Sequence, residues 1–311
     1  MNIFITGATG FVGSYLREFL RSRGLDVWGM AYPEKPKQPL EENLFHLDIR
    51  SEKDVFTCIK RAKPDWVVHL AAVSNVRHSW ERRKETFETN LLGTSNLFEA
   101  IRRYAPQARV LFVSSSDVYG TERSSKKPLD EKAEVLAMNP YAYTKLSGEL
   151  LSEFYSRVEN LDIVITRPFP HTGPGQSADF VCSDWAYQIA RIEKGEGKSE
   201  IRVGDISVQR DFTDVRDVVK AYVLLLEKGK SGEIYNICSG KSYSLESILH
   251  MLLSFSSQSI EILVDSQKLR KTEIPVLVGD NRKIKRELSW KPKVPMEKSL
   301  RELLDFWRFR V

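Results

Sequence analysis

The stretch Asn2-Ile3-Phe4-Ile5-Thr6-Gly7-Ala8-Thr9-Gly10-Phe11-Val12-Gly13 opens the chain and decides its fold. Residues 2–6 are mostly β-branched or aromatic and end at a glycine, so they read as a short buried strand. Beyond them Phe11, Val12, Tyr15, Leu16, Phe19 and Leu20 recur at helical spacing as far as Arg23, and Gly24 stands where a helix C-cap belongs. The glycines therefore lie between a strand and a helix N-terminus, which is the setting of a dinucleotide-binding loop. In that reading Gly7 permits a tight turn, and Gly10 lets backbone N–H groups approach a pyrophosphate. Gly13 lets the helix pack closely on the strand, and the helix N-terminus brings partial positive charge to the anion.

Strand and helix patterns alternate after this unit. Strands are expected at 26–30, 43–47, 65–70, 109–113 and 162–166, with helices at 51–62, 83–103 and 141–157. Apolar strands alternating with helices imply an α/β fold built on a doubly wound, parallel Rossmann sheet. The alternation fails after Pro168, where Pro170, Gly173, Pro174 and Gly175 impose a loop. A helix follows at 180–194. The chain then returns to the first lobe with a helix at 215–228 and a strand at 233–237. The expected division is a dinucleotide-binding lobe of residues 1–167 plus about 215–240, and a smaller, partly discontinuous α/β substrate lobe of 168–214 plus about 241–311. A site in such a fold is expected at the carboxyl ends of the strands, between the lobes.

Composition narrows the classes. A chain of 311 residues that is 41% hydrophobic can bury a core of one large domain or two joined lobes. The net charge of +5 suits a solvated surface or anionic small ligands, and no basic run is long enough to suggest nucleic acid. Cys58, Cys182 and Cys238 are odd in number and lack metal-ligand spacing, so reduced thiols in a cytoplasmic protein are expected, and no metal. No stretch of about 18 apolar residues suggests a membrane span. A first strand at residue 2 leaves no room for a signal peptide.

Chemistry is indicated by Asn139-Pro140-Tyr141-Ala142-Tyr143-Thr144-Lys145. A tyrosine with a pKa of about 10 needs perturbing to move protons at neutral pH. Lys145, one helical turn from Tyr141, is within reach, and its charge is expected to favour the phenolate and lower that pKa. The pair follows a strand ending in Ser114-Ser115-Ser116. A tuned proton donor beside a hydride carrier makes an alcohol–ketone oxidoreductase site.

The spacing Gly-x-x-Gly-x-x-Gly in Thr6–Gly13 resembles the loop of the extended short-chain dehydrogenase/reductases. The resemblance continues through Leu70-Ala71-Ala72, Thr89-Asn90-Leu91-Leu92-Gly93-Thr94, Val113-Ser114-Ser115-Ser116-Asp117-Val118-Tyr119-Gly120, the Tyr141/Lys145 pair, Arg167-Pro168-Phe169, Arg210-Asp211-Phe212-Thr213-Asp214-Val215 and Leu288-Ser289-Trp290-Lys291-Pro292. It implies that Ser115, Tyr141 and Lys145 are catalytic, with Ser115 holding the substrate oxygen and Lys145 also holding the nicotinamide ribose. Ser114 and Ser116 are expected to satisfy backbone groups at the strand end, and Tyr143 to serve packing or an interface. The cofactor would be lined by Gly7, Gly10, Phe11, Val12, Gly13, Asp48, Ile49, Leu70, Ala71, Ala72 and Asn90, besides Tyr141 and Lys145. Asp48 would touch the adenine amino group, and Asn90 would approach Lys145 through water. Ala31 occupies the position of the acid that selects NAD, Asp26 comes too early, and Lys35 and Lys37 follow, so NADP(H) is preferred with NAD(H) possible. The resemblance also implies a homodimer formed through helices near 90–103 and 141–157.

Three segments are similar to the nucleoside-diphosphate-sugar branch of that family: residues 73–80 with Ser74 resemble its loop that faces the sugar, residues 171–181 with His171 its entry to the substrate domain, and residues 272–281 its C-terminal nucleotide-binding loop. Arg210 and Arg270 match diphosphate-binding positions, where a guanidinium fork can bridge phosphate oxygens. Ser116 and Asp117 would also face the substrate. Within the branch the resemblance is nearest to reductases of GDP-4-keto-6-deoxy-mannose. In the related 4,6-dehydratases a glutamate removes the C5 proton, and Asp117 stands at its position, one methylene shorter. Pro170 replaces the asparagine usual after Arg-Pro-Phe, and proline offers no amide to a ligand. The expected activity is NAD(P)H-dependent reduction of the C4 ketone of a nucleoside-diphosphate 4-keto-6-deoxyhexose, with a GDP-sugar expected. A 4-epimerase or 4,6-dehydratase with a retained dinucleotide is the alternative, and a non-catalytic dinucleotide-sensing scaffold a further one.

Overall fold

The computed structural model describes residues 1–32, 43–120, 127–269 and 275–311. In chain order the first elements are β1 (Asn2–Thr6), α1 (Phe11–Ser22), β2 (Asp26–Ala31), β3 (Leu44–His46), α2 (Glu52–Ala62), β4 (Trp66–His69), α3 (Val76–Glu81), α4 (Arg83–Phe87), α5 (Gly93–Tyr104), β5 (Arg109–Val113), α6 (Pro140–Arg157) and β6 (Asp162–Pro168). There follow β7 (His171–Thr172), α7 (Val181–Glu193), β8 (Glu200–Val203), β9 (Gln209–Arg210), β10 (Thr213–Asp214), α8 (Val215–Lys228) and β11 (Ile234–Ile237). The chain closes with β12 (Tyr243–Ser244), α9 (Leu245–Leu253), β13 (Glu261–Val264), β14 (Val276–Leu277), α10 (Arg282–Leu288) and α11 (Met296–Arg308).

Seven strands form one sheet in the order β11-β6-β5-β4-β1-β2-β3. The pairs from β3 to β6 are parallel, as in Ile3 opposite Val27 on one side and Trp66 on the other. Chain order reverses at β1, with β2 on one flank and β4 on the other, which is the doubly wound topology expected from the strand–helix alternation. Strand interiors such as Ile3, Phe4, Ile5, Val67, Val68, Val110 and Leu111 are fully buried, which explains why they read as continuous apolar runs.

The chain divides into two compact units. The first holds residues 1–118, 137–168 and 219–235, and the second holds 119–136, 169–218 and 236–311. Residues 119–136, placed with the first lobe on sequence, thus belong to the second unit. There α7, α9 and α11 bury Trp185, Ile189, Leu249, Leu300 and Leu304 together with Ile201 and Val203 of β8. Loops of this unit converge on Asp211, whose carboxylate accepts from the backbone N–H groups of Ser239 (2.7 Å), Gly240 (2.8 Å) and Gly279 (3.3 Å).

Two local features depart from the sequence pattern. Residues 83–103, expected as one helix, are α4 and α5 joined by a π turn at Glu88–Leu92. The segment after β4, expected as a loop facing the sugar, contains the short helix α3, capped by Asn75 accepting from the N–H of His78. Among the described residues no helix is long and apolar enough to cross a membrane. Cys58, Cys182 and Cys238 are buried free thiols.

Candidate active site

Geometry explains why glycine occupies the loop between β1 and α1. Gly7 has φ +69°, and a Cβ there would lie 2.9 Å from the Ala71 nitrogen. A Cβ on Gly13 would collide with the Gly7 carbonyl oxygen and the Ala8 backbone. Gly10 is the N-cap of α1 and provides no side-chain cap. The loop is therefore a cradle of bare backbone at the head of a helix, and it fits a dinucleotide pyrophosphate. Ala71 and Leu70 close its other wall.

A buried hydrogen-bond chain fixes that wall. Thr6 Oγ1 accepts from the N–H groups of Leu70 and Ala71, both at 3.1 Å, and pairs with His69 Nδ1 at 2.7 Å. His69 Nε2 pairs with Thr94 Oγ1 at 2.8 Å, and Thr94 donates to the Asn90 carbonyl at 2.5 Å. Because Thr94 spends its proton on that carbonyl, His69 carries its own on Nε2 and accepts the Thr6 hydroxyl at Nδ1. Burial holds this imidazole neutral, with its pKa pulled down to about 3, and the Lys145 charge adds to that. Asn90, in the π turn, accepts from the Val73 N–H at 2.7 Å and donates to the Val73 carbonyl and to Thr144 Oγ1. Both amide hydrogens are used, so Asn90 fastens the loop after β4 to α6. One inserted residue in the turn aims it there.

The start of α6 is set by Asn139, whose Oδ1 accepts from the Ala142 N–H at 2.8 Å, and by Pro140 in the first helical position. Tyr141 thereby falls in the first turn and Lys145 in the second. A Cβ on Gly148 would run into the Phe112 ring, so this glycine lets α6 lie close on β5. That closeness lets Lys145 Nζ donate to the Val113 carbonyl at 2.8 Å, with the Phe112 and Tyr141 rings at 5.5 and 5.9 Å. Ser115 Oγ accepts from the Asp117 N–H at 3.1 Å and is hydrogen-bonded to Tyr141.

The electrostatics correct one expectation. The Tyr141 phenol is not acidified. Burial pushes its pKa above the ordinary tyrosine value, the Asp117 carboxylate adds to the rise, and the Ser115 hydrogen bond opposes it. The group that burial moves toward neutrality is Lys145, pulled down to about 8 against the opposing effect of Glu149. Side-chain spacing on a helix signals adjacency, but desolvation decides the shift here. Ser114 is a second correction. Its hydroxyl donates to Glu149 Oε1 at 2.5 Å instead of satisfying the strand end. Glu149 is also paired with Arg167, Nε to Oε1 at 2.9 Å and Nη2 to Oε2 at 2.6 Å, and both side chains are buried. Neither Glu149 nor its pairing was foreseen. Its spacing of four from Lys145 was the one available signal.

The other candidates are distributed as follows. Asp48 is held by Arg50 through the backbone N–H at 2.9 Å and by the guanidinium, which keeps its carboxyl below the usual carboxylate range. Ile49 is buried against Gly93, and Ala72 is half-buried. Ser74 is exposed, and Ser116 is buried in the turn after β5. These belong to the first unit, with Ser115, Asp117, Tyr141 and Lys145. His171 and Arg210 belong to the second. His171 Nδ1 lies 3.0 Å from the Phe169 carbonyl, and burial lowers its pKa. Arg210 donates to the Gln209 carbonyl at 2.8 Å. Pro170 contributes its carbonyl to the N–H of Thr213. Arg270, like Lys35 and Lys37, lies outside the described residues.

A profile of the family described as GDP-mannose 4,6 dehydratase matches residues 4–303. The chain belongs to that family. As a member of the GDP-mannose 4,6 dehydratase family it is 34% identical to GDP-6-deoxy-D-mannose reductase of Pseudomonas aeruginosa, over 99% of this chain and 98% of the relative. It is similar to the structure of RMD from Pseudomonas aeruginosa complexed with NADPH, with a TM-score of 0.88, 32% identity and full coverage of both chains. The family fold extends to UDP-glucose 4-epimerase with UDP-glucose from Thermotoga maritima, with a TM-score of 0.89 and 27% identity over 100% of this chain and 99% of that one.

Proposed function

We propose that this chain is an NADPH-dependent reductase of the C4 ketone of a nucleoside-diphosphate 4-keto-6-deoxyhexose, GDP-4-keto-6-deoxy-mannose, yielding a GDP-6-deoxyhexose such as GDP-D-rhamnose. The observation that carries it is the arrangement of the site: Ser115 is hydrogen-bonded to Tyr141, and the Lys145 ammonium lies 5.9 Å from the centroid of the Tyr141 ring. Reduction of a ketone needs a proton donor at the carbonyl oxygen, and this arrangement supplies the phenol with a neighbouring hydroxyl to orient that oxygen. Similarity to GDP-6-deoxy-D-mannose reductase over nearly the whole of both chains supports the substrate class.

Bound in the glycine cradle, NADPH supplies the hydride. The backbone at Gly10, Phe11 and Val12 holds the pyrophosphate, Asp48 the adenine amino group and Lys145 the nicotinamide ribose. NADPH is preferred because Ala31 offers no carboxylate at the end of β2 to repel its 2′-phosphate, and NAD(H) is accepted as the weaker cofactor. Ser115 orients the C4 carbonyl through its hydroxyl. Tyr141 passes its Oη proton to O4 as negative charge develops there, and the nearby Lys145 ammonium stabilises the phenolate left behind. Ser74, Ser116, Asp117, His171 and Arg210 serve the sugar diphosphate.

The active form is a homodimer. Tyr143, Leu150, Phe154 and Val158 form an exposed apolar stripe on and just beyond α6, and Phe87 and Leu92 are exposed on the α4 and π-turn segments that pack beside it.

The deciding assay offers GDP-mannose and its 4-keto-6-deoxy derivative separately, with and without NADPH, and follows NADPH absorbance and product by NMR. Stoichiometric NADPH loss with the keto sugar is expected. Conversion of GDP-mannose with no net loss would instead establish a dehydratase.

A further inference from the structure

Glu149, Arg167 and Ser114 form a buried polar cluster beneath the candidate active site that the reaction itself does not consume. Glu149 and Arg167 expose only 6% and 5% of their side chains, yet both carry charge and are joined by two hydrogen bonds. Burying such a pair is costly, and an apolar pair of similar volume would hold α6 against β6 as well or better. A packing role alone therefore does not account for it. Its placement does. Glu149 lies one helical turn after Lys145, which puts the two side chains on the same face of α6.

The surroundings of Lys145 leave it in need of a counter-charge. From β5 it meets the Val113 carbonyl and the Phe112 ring, and from its own helix the Tyr141 ring. From β4 it faces His69, which is neutral. Asp117 of the turn after β5 acts on Tyr141, and Tyr141 in turn acts on Tyr222 of α8. Lys145 itself is buried. Of these groups Glu149 supplies the anion that opposes the loss of the lysine proton. Arg167 and Ser114 hold that anion in one place and keep it from closing onto the ammonium. The ammonium stays free to reach across to Val113.

We propose that Glu149, clamped by Arg167 and Ser114, is a positioning residue that keeps Lys145 charged at neutral pH. It acts through the lysine and touches neither substrate nor cofactor. The assignment rests on the reductase reading for its purpose but not for its test. Full-length protein labelled with 13C at lysine Cε is titrated by NMR, the Lys145 signal being identified by its absence in Lys145→Arg. The wild-type midpoint is expected near 8. In Glu149→Gln it falls by about 1 pH unit or more, a tenfold loss of proton affinity. Glu149→Asp, which keeps the charge one methylene away, restores part of the shift.

Glu149→Gln removes the anion that faces the buried Arg167, so Glu149→Gln/Arg167→Met is titrated beside it, and the midpoint is again expected below wild type. An unchanged midpoint in the folded variants overturns the proposal. The alkaline limb of kcat/KM, measured with NADPH and GDP-4-keto-6-deoxy-mannose, is expected to move with the NMR midpoint. If the midpoint moves and the wild type does not reduce that sugar, Glu149 keeps its role and the reductase reading falls.

Discussion

The ammonium of Lys145 stands 5.9 Å from the centroid of the Tyr141 ring and spends its hydrogen bond on the Val113 carbonyl. The two residues therefore divide the work. The phenol holds its proton through the neutral range, and the lysine is the group that titrates closest to it.

Activity and stability should consequently respond to alkaline pH in opposite directions. The Lys145 pKa is depressed from 10.5 to about 8 in the folded protein. Below 8 the lysine is charged in both folded and unfolded chains, and the cost of burying that charge is fully present. Between 8 and 10.5 the folded protein has released the proton and the unfolded chain has not, so the cost is relieved. Reductive kcat/KM is expected to fall through pH 8 with a one-proton slope. Urea unfolding should show this group adding up to about 1.4 kcal/mol of stability per pH unit above it. A flat rate profile from pH 7 to 9 would count against Lys145 as the charged partner.

Tyr141→Phe removes the donated proton and little else. The ring, its burial and its contact with Lys145 remain. Turnover of the keto sugar is expected to drop about 10²–10⁴-fold, while NADPH affinity, read by fluorescence, stays within about twofold of wild type. Unchanged turnover would remove the proposed acid.

Gly13→Ala places a methyl against the Gly7 carbonyl oxygen, where neither backbone segment can yield cheaply. Overpacking of this kind costs about 1–3 kcal/mol. The loss should appear both in the unfolding midpoint and as weaker NADPH binding. Gly24→Ala is the control, since nothing lies within 4 Å of its added Cβ and only its positive φ opposes the change.

Acid lability should trace in part to His69. Its pKa is lowered from 6.5 to about 3 in the fold. Above 6.5 it is neutral in both states and contributes no pH dependence. As pH falls from 6.5 toward 3 only the unfolded chain gains the proton, so stability is lost at about 1.4 kcal/mol per pH unit. His69→Gln is expected to be less stable at pH 7 and to show a shallower loss between pH 6 and 4. Equal slopes for the two proteins would refute the neutral, doubly hydrogen-bonded imidazole.

Leu150→Asp combined with Phe154→Asp puts two charges on the exposed stripe of α6. Light scattering is expected to read a dimer for the wild type and a monomer for this variant, with unfolding temperature in the dilute limit little changed. A wild-type mass of one chain would dismiss the homodimer.

The amino-acid sequence by itself indicated the alternating strands and helices of the first unit, apart from α3 and the π turn, together with the glycine loop and the candidate positions Ser115, Tyr141 and Lys145. The elements, the loop and the Tyr141/Lys145 pair follow from short-range regularities, namely apolar periodicity, glycines between a strand and a helix, and a spacing of four on one helix, whereas Ser115 was indicated by the family resemblance. Tertiary structure alone decided what those groups do electrostatically. Glu149 and Arg167 are 18 residues apart, His69 and Thr94 are 25, and their pairing exists only because β4, β5, β6 and α6 pack together. The same burial raised the Tyr141 phenol and lowered Lys145 against the expectation from spacing. Desolvation depends on everything that surrounds a charge, and most of what surrounds these two side chains comes from distant parts of the chain.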